Sequence, residues 1–331
     1  MCEYLTIPEE QFTINEEYWI KLHNKNCDFP LNLENPVWLS DKMTYCNIYY
    51  NYNKDLFYKN TAKNEIQKIL KTNKYCIPTY QICDTIEEIS LESLIGKSFV
   101  IKPSNKASSH GVIIQKRALK RKDIPELEQQ LKENKYLNNC KKIVIEKFIG
   151  AKNRQQSFMR DYKFWCFNGK PFCCLIIEQR DAKKHKKQSN FYDMNFKKMN
   201  LQKEKDIEIQ IAIKKPKNWE TMVELAKKIS KNIPVIRVDF YNVAGRIYFG
   251  ECQKIYSFHC RFKDMSYNEK LSYLLDITKL KKNVDKIKQH QSDRQNNTDK
   301  FKNLQKNTSI IDTIISKLVR PRGLEPPHLS A

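Results

Sequence analysis

The sequence predicts an α+β fold, in which antiparallel β-hairpins pack against amphipathic helices. Two pairs of apolar runs are each joined by a short, glycine-containing turn: Val235–Phe240 with Ile247–Phe249, and Asp161–Phe167 with Pro171–Ile177. Apolar runs separated by such turns are typical of β-hairpins. Between the two hairpins, Trp219–Lys231 carries its apolar residues on one helical face. That pattern predicts a helix packed beneath the hairpin formed by Val235–Phe240 and Ile247–Phe249.

Shorter patterns predict the other elements. Helices are expected at Thr61–Asn73, Ile86–Leu94, Asp123–Asn134, Ser266–Leu280 and Ile310–Val319, and strands at Cys76–Cys83, Ser98–Lys102, Val112–Gln115 and Ile143–Phe148. Residues 1–60 and 179–199 show little periodicity and are expected to be irregular, whereas the Lys-, Gln- and Asn-rich residues 285–308 are expected to be mobile. Residues 320–331 differ abruptly in composition and hold three prolines, so we interpret them as a translation overrun.

The composition is that of a globular protein. The 331 residues have room for two or three compact domains, and a hydrophobic content of 40% is enough to form a core. No run approaches the roughly 18 apolar residues that span a bilayer, and the first residues lack the pattern of a secretion signal. We therefore expect a cytoplasmic protein. The eleven cysteines include no C-x-x-C pair, so we expect reduced thiols and no disulfide framework or zinc site.

The formal net charge of +22 would suit an anionic partner such as nucleic acid, phosphates or a membrane surface. Lysine and asparagine, however, are in excess throughout the chain, and no basic-aromatic binding module stands out. A compositional bias explains the charge as well as a binding surface does. Nucleic acid is therefore an unlikely partner.

Two acidic residues accompany the hairpin at 235–249. Asp239 lies inside its first apolar run, and Glu251 follows directly after the second. Across an antiparallel pair these positions can lie close together, and two close carboxylates repel each other unless a cation or a proton lies between them. Mg²⁺, bound by carboxylates and nucleotide phosphates, would supply that cation. The alternative is an edge hairpin whose acidic residues face solvent.

Two other stretches combine polar groups with apolar strands. Ser104–Gly111 is a loop of small residues between two strands, and Lys102 precedes it, an arrangement that can surround phosphates with backbone N–H groups. An ordinary hairpin with a loose loop has the same pattern. In the strand Asp161–Phe167, Asp161 and Lys163 share one face. That face is either solvated or the floor of a charged site.

Four phrases in this order resemble the ATP-grasp superfamily, and within it the TupA-like branch linked to teichuronopeptide and surface-polysaccharide biosynthesis. They are FVIKP at 99–103, DYKFWCFNGKP at 161–171, NFYDMNF at 190–196 and RVDFYNVAGRIYFGE at 237–251. The resemblance covers about residues 60–255. It implies a nucleotide held between two α+β lobes, a small lobe at 96–152 and a large lobe at 153–281. An N-terminal segment at 1–95 would precede the lobes, and a basic, partly disordered tail at 282–331 would follow them.

The resemblance also implies roles for single residues in binding ATP. Lys102 would contact the phosphates and also serve catalysis. The other implied nucleotide contacts are Ser108, Ser109 and Gly111 of the phosphate-covering loop, Glu146 with the backbone of Lys147 and Phe148 against adenine, and Lys163 on phosphate or adenine.

The same resemblance implies a magnesium site and a reaction. Asp239 and Glu251 would hold Mg²⁺, with Gln253 at the place where many relatives carry a third ligand, asparagine. Arg237 would stabilise an acyl-phosphate, because a guanidinium matches phosphate and carboxylate oxygens. ATP would phosphorylate the carboxylate of a small molecule or of a polysaccharide precursor, and an amine would then displace phosphate.

Two alternatives to an active ligase stay open, the first because the sequence departs from the family pattern at three places. Gln253 is longer than asparagine by one methylene, Cys252–Tyr256 replaces the usual Thr-Phe phrase, and the phosphate loop is poor in glycine. The first alternative is a nucleotide-binding relative that has lost ligation and acts as a binding or regulatory subunit. The second is a basic nucleic-acid-associated protein, which the net charge favours.

Overall fold

A computed structural model describes residues 12–26, 30–104, 110–150, 159–181, 186–201, 207–210, 212–255 and 267–318. The chain divides into two compact units, Met1–Thr278 and Lys279–Ala331. The first unit contains two antiparallel sheets with helices, which confirms the predicted α+β class.

The described helices are α1 (Phe12–Asn26), α2 (Leu39–Tyr49), α3 (Ala62–Leu70), α4 (Ile124–Lys132), α5 (Lys135–Asn138), α6 (Trp219–Ser230), α7 (Tyr267–Lys270) and α8 (Thr278–Leu318). The described strands are β1 (Thr79–Cys83), β2 (Phe99–Pro103), β3 (Ile113–Gln115), β4 (Ile143–Lys147), β5 (Asp161–Phe167), β6 (Lys170–Asp181), β7 (Lys186–Tyr192), β8 (Val235–Val243) and β9 (Arg246–Gln253). None of the helices described is both long enough and apolar enough to cross a membrane.

The first sheet has the order β1-β4-β2-β3 and is antiparallel throughout. Phe99 and Ile101 of β2 point into a core that also contains Leu127 and Leu131 of α4. Because side chains alternate along a strand, Lys102 points to the opposite face. Glu146 of β4 lies on that face too, since its neighbour Ile145 belongs to the core. The polar face of this sheet is therefore turned away from α4.

The second sheet has the order β7-β6-β5-β8-β9 and packs against α6. Phe164, Phe240 and Trp219 are fully buried in its core, and the Phe164 ring centroid lies 5.3 Å from that of Trp219. This packing confirms the predicted helix beneath the hairpin. Alternation then places Lys163 and Asp239, the neighbours of the two phenylalanines, on the face away from α6.

A β-bulge at Gly250 sets the direction of the last residues of β9. Asp239 pairs with Glu251, but the next residue, Phe240, pairs with Phe249, so Gly250 is the extra residue. Phe249 and Cys252 both belong to the core although they are three residues apart. The bulge therefore reverses the alternation and brings Glu251 onto the face that carries Asp239.

Helix α3 and the segment that follows it connect the two sheets. Ile66 of α3 is buried in the core of the second sheet, whereas Lys63, one turn earlier, forms an ion pair with Glu146 of the first sheet at 2.7 Å. The backbone N–H of Phe249 in β9 donates a hydrogen bond to the carbonyl of Tyr75, just before β1, at 2.6 Å. The two sheets are thus both tied to one short stretch of chain.

Most of the predicted strands and helices are confirmed. The hairpin β5–β6 turns at Asn168 and Gly169, whose φ angles of 46° and 74° are both positive, as a two-residue hairpin turn requires. Strands β2, β3 and β4, and helices α3 and α4, begin and end within three residues of their predicted limits, and the largest difference is that α3 ends three residues early. Local pattern was sufficient for these elements.

Four predictions were wrong. Residues 1–60, expected to be irregular, contain α1 and α2, and nearly every residue of α2 is buried, so no apolar stripe marks the helix. Residues 179–199 contain β7 and part of β6, and Ile86–Leu94 holds only a short 3₁₀ turn at Glu92–Leu94. The helix expected over 266–280 is interrupted after α7, the part before Tyr267 lying outside the described residues.

Over its described residues, the second unit consists of helix α8. Residues 285–308, expected to be mobile, belong to α8, and residues 310–318 are helical as predicted. Polar partners four residues apart support this helix, among them Gln289 with Asp293 at 3.0 Å and Gln295 with Asp299 at 3.2 Å. Such pairs each contribute about 0.2–0.5 kcal/mol. A polar composition was therefore no argument against a helix.

Replacing Phe164 by alanine should destabilise the first unit by about 3–5 kcal/mol, because it opens a cavity between α6 and the sheet. The measurement is the free energy of unfolding in urea, followed by circular dichroism. Tyr273→Ala is the matched control, since that ring is 72% exposed and its removal should cost less than about 0.5 kcal/mol. Equal losses in the two variants would contradict the assigned core.

Candidate functional site

Lys163, Asp239 and Glu251 form a row across three neighbouring strands. Lys163 of β5 pairs with Asp239 of β8, and Asp239 pairs with Glu251 of β9. Arg237, two residues before Asp239, pairs with Gln253 in the next row. The predicted residues of the large lobe therefore lie together on one face of the sheet.

Asp239 is the centre of this cluster and is 4% exposed. Arg237 binds it in a bidentate manner, with Nε donating to Oδ1 and Nη2 to Oδ2, both at 2.7 Å. Lys163 also forms an ion pair with Asp239, and its Nζ lies 3.5 Å from the carboxylate of Asp161. Burial alone would raise the pKa of Asp239, but the charges of Arg237 and Lys163 outweigh it and lower the pKa to about 2. Asp239 is consequently a carboxylate at any physiological pH.

The cation expected between Asp239 and Glu251 is, in this structure, the guanidinium of Arg237. Its Nη2 donates to Asp239 at 2.7 Å and to Glu251 at 3.3 Å. Gln253 donates from Nε2 to the same Glu251 oxygen at 2.9 Å, which leaves its carbonyl oxygen as the possible metal ligand. The solvent-facing alternative for Asp239 is therefore wrong, since the residue is buried.

The donor atoms at this place fit Mg²⁺. Two carboxylates and an amide carbonyl are hard oxygen ligands of the kind that Mg²⁺ binds together with phosphates. Within the part of the chain that the structure describes, no three His, Cys, Asp or Glu side chains are placed to share a metal ion. A metal held here would therefore need Gln253 and ligand oxygens besides Asp239 and Glu251.

A second charged cluster lies on the first sheet and is centred on Glu146, which is 4% exposed. Lys102 forms an ion pair with its Oε1, and Lys63 lies 2.7 Å from its Oε2. Burial would raise the pKa of Glu146, but the two ammonium groups outweigh burial and lower it. The cluster thus holds one negative and two positive charges.

The two lysines of this cluster differ in how they are held. Lys63 donates also to the carbonyl of Ile77 at 2.7 Å and to the hydroxyl of Thr79 at 2.8 Å, so all three of its N–H groups have protein acceptors. Lys102, among the described residues, donates only to Glu146. Lys63 therefore positions Glu146, and Lys102 keeps N–H groups for a ligand.

An open cleft is lined by Lys63 and Lys102 of the Glu146 cluster and by Glu251, which contacts Arg237 of the Asp239 cluster. Its charged lining consists of Lys59, Lys63, Lys102 and Glu251, and its apolar lining includes Phe57 and Phe249. Groups from both sheets thus face one cleft. A ligand that fits here has to carry negative charge together with some apolar surface.

The remaining predicted nucleotide contacts lie elsewhere or outside the described residues. The backbone N–H groups of Lys147 and Phe148 donate to the carbonyls of Pro78 at 2.9 Å and Ser98 at 3.1 Å, so only their carbonyls remain as contacts for a base. Gly111 lies against α5, where Asn134 donates to its carbonyl at 3.2 Å. Ser108 and Ser109 fall outside the described residues.

Sequence reasoning missed Lys59 and Lys63. One signal for Lys63 was available, because it lies in the first turn of α3, where the helix dipole disfavours a cation. A lysine at that position needs a compensating acid from elsewhere in the fold, and Glu146 supplies it. No comparable signal marks Lys59, whose neighbourhood is created by the fold.

Comparison with protein families gives one match. A family model described as TupA-like ATPgrasp matches residues 42–276, well over half of the chain. The matched segment includes both sheets and both charged clusters, and it extends the range of about 60–255 over which the motifs showed the resemblance. No curated protein matches the sequence.

Solved structures give weaker similarities. The D-alanine–D-alanine ligase of Helicobacter pylori is 22% identical, with a TM-score of 0.43 and coverage of 67% of this chain and 61% of that one. The Bacillus anthracis D-alanine–D-alanine ligase complexed with ATP is 19% identical, with a TM-score of 0.35 and coverage of 58% and 54%. The ATP-grasp ligase PsnB complexed with its minimal precursor is 12% identical, with a TM-score of 0.36 and coverage of 67% and 60%. The chain therefore spans less than two thirds of these proteins, and the family model carries the assignment.

Replacing Asp239 by asparagine should lower the free energy of unfolding at pH 7 by about 3–5 kcal/mol, because it removes the carboxylate nearest to two buried cations and leaves Arg237 and Lys163 only their longer contacts to Glu251 and Asp161. The loss should shrink as the pH falls from about 4 through about 2. The folded-state pKa of Asp239 is depressed to about 2, so its stabilising charge is present above the unfolded pKa and disappears through that window. Urea unfolding at a series of pH values measures the difference.

The matched control is Asp84→Asn, which removes one carboxylate from a surface pair with Lys142. Exposed pairs contribute about 0–1 kcal/mol, so this variant should differ little from the parent protein at pH 7. A deficit in Asp239→Asn that stays constant down to pH 2 would show that its charge is not what stabilises the fold.

Proposed function

Because the chain belongs to the TupA-like ATP-grasp family, we propose that it is an ATP- and Mg²⁺-dependent ligase that joins a carboxylate to an amine through an acyl-phosphate. The observation that carries the proposal is the shared cleft. Lysines that suit phosphate and a carboxylate that suits a metal line the same opening. The proposed lobes that enclose the nucleotide remain residues 96–152 and 153–281.

The nucleotide phosphates would bind to Lys102. Its ammonium group has N–H donors left after the contact with Glu146, and Lys63 holds that glutamate in place. A lysine ammonium suits phosphate as a point charge with several donors. Phe57 and Tyr58, which line the cleft and are partly exposed, supply surface for the uncharged part of the nucleotide.

Asp239, Glu251 and Gln253 would hold Mg²⁺, which when bound neutralises phosphate charge. Arg237 is fixed beside these residues by its bonds to both carboxylates. Its planar fork suits the oxygens of a phosphorylated carboxylate. We assign to Arg237 the stabilisation of charge on that acyl-phosphate.

The proposed reaction has two steps. A substrate carboxylate oxygen attacks the terminal phosphorus of ATP, the bond to the bridging oxygen breaks, and ADP leaves. An amine then attacks the acyl carbon, inorganic phosphate leaves, and the nitrogen loses a proton to give an amide. Such chemistry depends on positioning and charge neutralisation more than on a protein nucleophile, which agrees with a site made of lysine, arginine and carboxylates.

The family branch supports a role in cell-surface polysaccharide or teichuronopeptide-type biosynthesis. The carboxylate would then belong to a polymer precursor or to a small molecule joined to it. Since ATP is the energy source, the reaction fits the cytoplasm.

A second candidate is a nucleotide-binding protein without ligase activity. One observation favours it: Arg237 and Lys163 both bind Asp239 and so compete with a metal for the same carboxylate. Under this alternative ATP would bind, but no carboxylate and amine pair would stimulate release of phosphate.

Lys102→Ala should weaken binding of ATP at least tenfold, because it removes the ammonium group proposed to bind phosphate. Thermal unfolding with Mg²⁺ and ATP measures this, since ligand at about 100 times its Kd adds about 2.7 kcal/mol to stability. Lys132→Ala, an exposed lysine of α4, is the control for loss of charge. Unchanged ATP affinity in Lys102→Ala would remove this residue from the phosphate site.

Glu251→Gln should reduce Mg²⁺-dependent phosphate release by about 10²-fold or more, because it removes charge proposed to face the metal and phosphates. The side chain of Glu251 is 31% exposed, so the fold should survive the change. Phosphate is measured with panels of carboxylates and amines, and Glu126→Gln on α4 is the control. If the parent protein releases phosphate and the Glu251→Gln variant releases it at the same rate, the assigned metal site is excluded.

A further inference from the structure

Lys254 is the first residue after β9, and neither the motifs nor the resemblance assigned it a role. It follows directly after Gln253, the last residue of the strand and a proposed ligand of Mg²⁺. Lys254 is half-buried. Among the residues that the structure describes, no carboxylate lies within 4 Å of its Nζ atom. The ammonium group is therefore stabilised by something other than an ion pair.

Three aromatic rings surround this ammonium group, and we call them the aromatic cage. The Nζ atom lies 4.6 Å from the ring centroid of Tyr52, 5.7 Å from that of Trp19 and 5.9 Å from that of Phe57. The face of an aromatic ring attracts a cation at such distances, and more strongly where water is excluded. Trp19 and Tyr52 are both buried, so the cage holds Lys254 by cation–π attraction.

The aromatic cage comes from the N-terminal part of the chain and is fixed to the second sheet. Trp19 belongs to α1, Tyr52 follows α2, and Phe57 ends the 3₁₀ turn Lys54–Phe57. The hydroxyl of Tyr52 donates to the carbonyl of Val235 in β8 at 3.2 Å, and the ring centroids of Tyr52 and Phe57 are 5.8 Å apart. The cage is thus anchored by contacts that do not involve Lys254.

Of the three proposed metal ligands, Gln253 is the one that the sheet constrains least. Asp239 lies within β8, which has a neighbouring strand on each side, whereas β9 is the edge strand and ends at Gln253. Beyond that residue the chain is held from the N-terminal part. Asn47 of α2 donates from Nδ2 to the carbonyl of Ile255 at 2.8 Å, and the aromatic cage holds the side chain between them.

The charge of Lys254 gives this hold a direction. An apolar side chain of the same length could pack against the same rings, but burial of apolar surface is non-directional. An ammonium group is drawn to the faces of the rings and so takes a defined place among them. The backbone on either side of Lys254 is fixed along with it.

We propose that Lys254 is a positioning residue, whose capture by the aromatic cage fixes Gln253 so that its carbonyl oxygen can bind Mg²⁺. The inference rests on the proposed function and adds a residue to its metal site. It gives helix α1 and residues 52–57 a part in that site. It also gives a role to one residue of the segment Cys252–Tyr256, where the sequence departs from the family pattern.

The test measures how much Mg²⁺ strengthens the binding of a non-hydrolysable ATP analogue to the full-length protein, by isothermal titration calorimetry. The ratio of the affinities with and without Mg²⁺ is unchanged by a general loss of nucleotide binding. In Lys254→Met this ratio should fall at least threefold, whereas Lys254→Arg should retain it, because a guanidinium also stacks on aromatic rings. The control is Lys54→Met, since Lys54 is exposed, lies close enough to Lys254 to repel it and should not affect the ratio.

A double-variant comparison shows whether Lys254 acts through Gln253. Gln253→Ala should lower the ratio at least as much as Lys254→Met does. Adding Lys254→Met to Gln253→Ala should then lower the ratio no further, because two changes that act through one group are not additive. A further fall in the double variant would show that Lys254 supports the fold in general, and it would overturn the assigned role.

The outcomes separate this inference from the proposed function. If Mg²⁺ does not strengthen binding of the analogue to the parent protein, the proposed metal site is wrong and Lys254 has no such role. If Mg²⁺ strengthens binding equally in the parent and in Lys254→Met, the role of Lys254 is wrong while the metal site stands. Should Lys254→Met fail to fold, Lys254→Gln also removes the charge and is judged by the same ratio.

Discussion

The burial of Asp239 among cations is the constraint on which the rest of the second sheet depends. A carboxylate that is 4% exposed needs compensation from close partners, and Arg237 and Lys163 provide it from the same strand and the neighbouring one. Those partners can reach it only if β5, β8 and β9 keep their register, since a shift by one residue would turn each side chain to the other face. The aromatic core on the α6 side and the charged row on the opposite side therefore require the same register.

The bulge at Gly250 shows how much of this site could be predicted from sequence. Alternation along β5 and β8 placed Lys163 and Asp239 on a common face, and the hairpin placed Glu251 near them. Strict alternation along β9, however, would have turned Glu251 into the core beneath Phe249. A side chain at Gly250 would meet the carbonyl oxygen of Asp239 and the ring of Tyr241 at 3.2 Å, so glycine suits this close approach. One extra residue decides on which face of the sheet Glu251 lies, and local periodicity does not reveal it.

The parts of the fold that sequence reasoning missed share a physical cause. Helix α2 is buried on nearly all sides, so it lacks the apolar stripe by which amphipathic helices are found. Lys59 and Lys63 acquire their partners from residues 44 and 83 positions away, and such neighbourhoods arise only when the chain folds. Hairpin turns and half-buried strands are local features, which explains why the sheets were predicted and the lysines of the cleft were not.

The two charged clusters share one arrangement of side chains, and this arrangement is an argument for a bound ligand. Each sheet buries one acid between two basic side chains: Glu146 between Lys63 and Lys102, and Asp239 between Arg237 and Lys163. Buried ion pairs contribute little to stability compared with apolar residues of similar volume, so stability alone does not account for two such clusters facing one cleft. The Glu146 cluster keeps one positive charge in excess, which phosphate would neutralise, whereas Asp161 and Glu251 add negative charge to the Asp239 cluster. A metal would add positive charge beside Asp239, so its binding would be coupled to that of the phosphates, and ATP with Mg²⁺ should bind more tightly than either does alone.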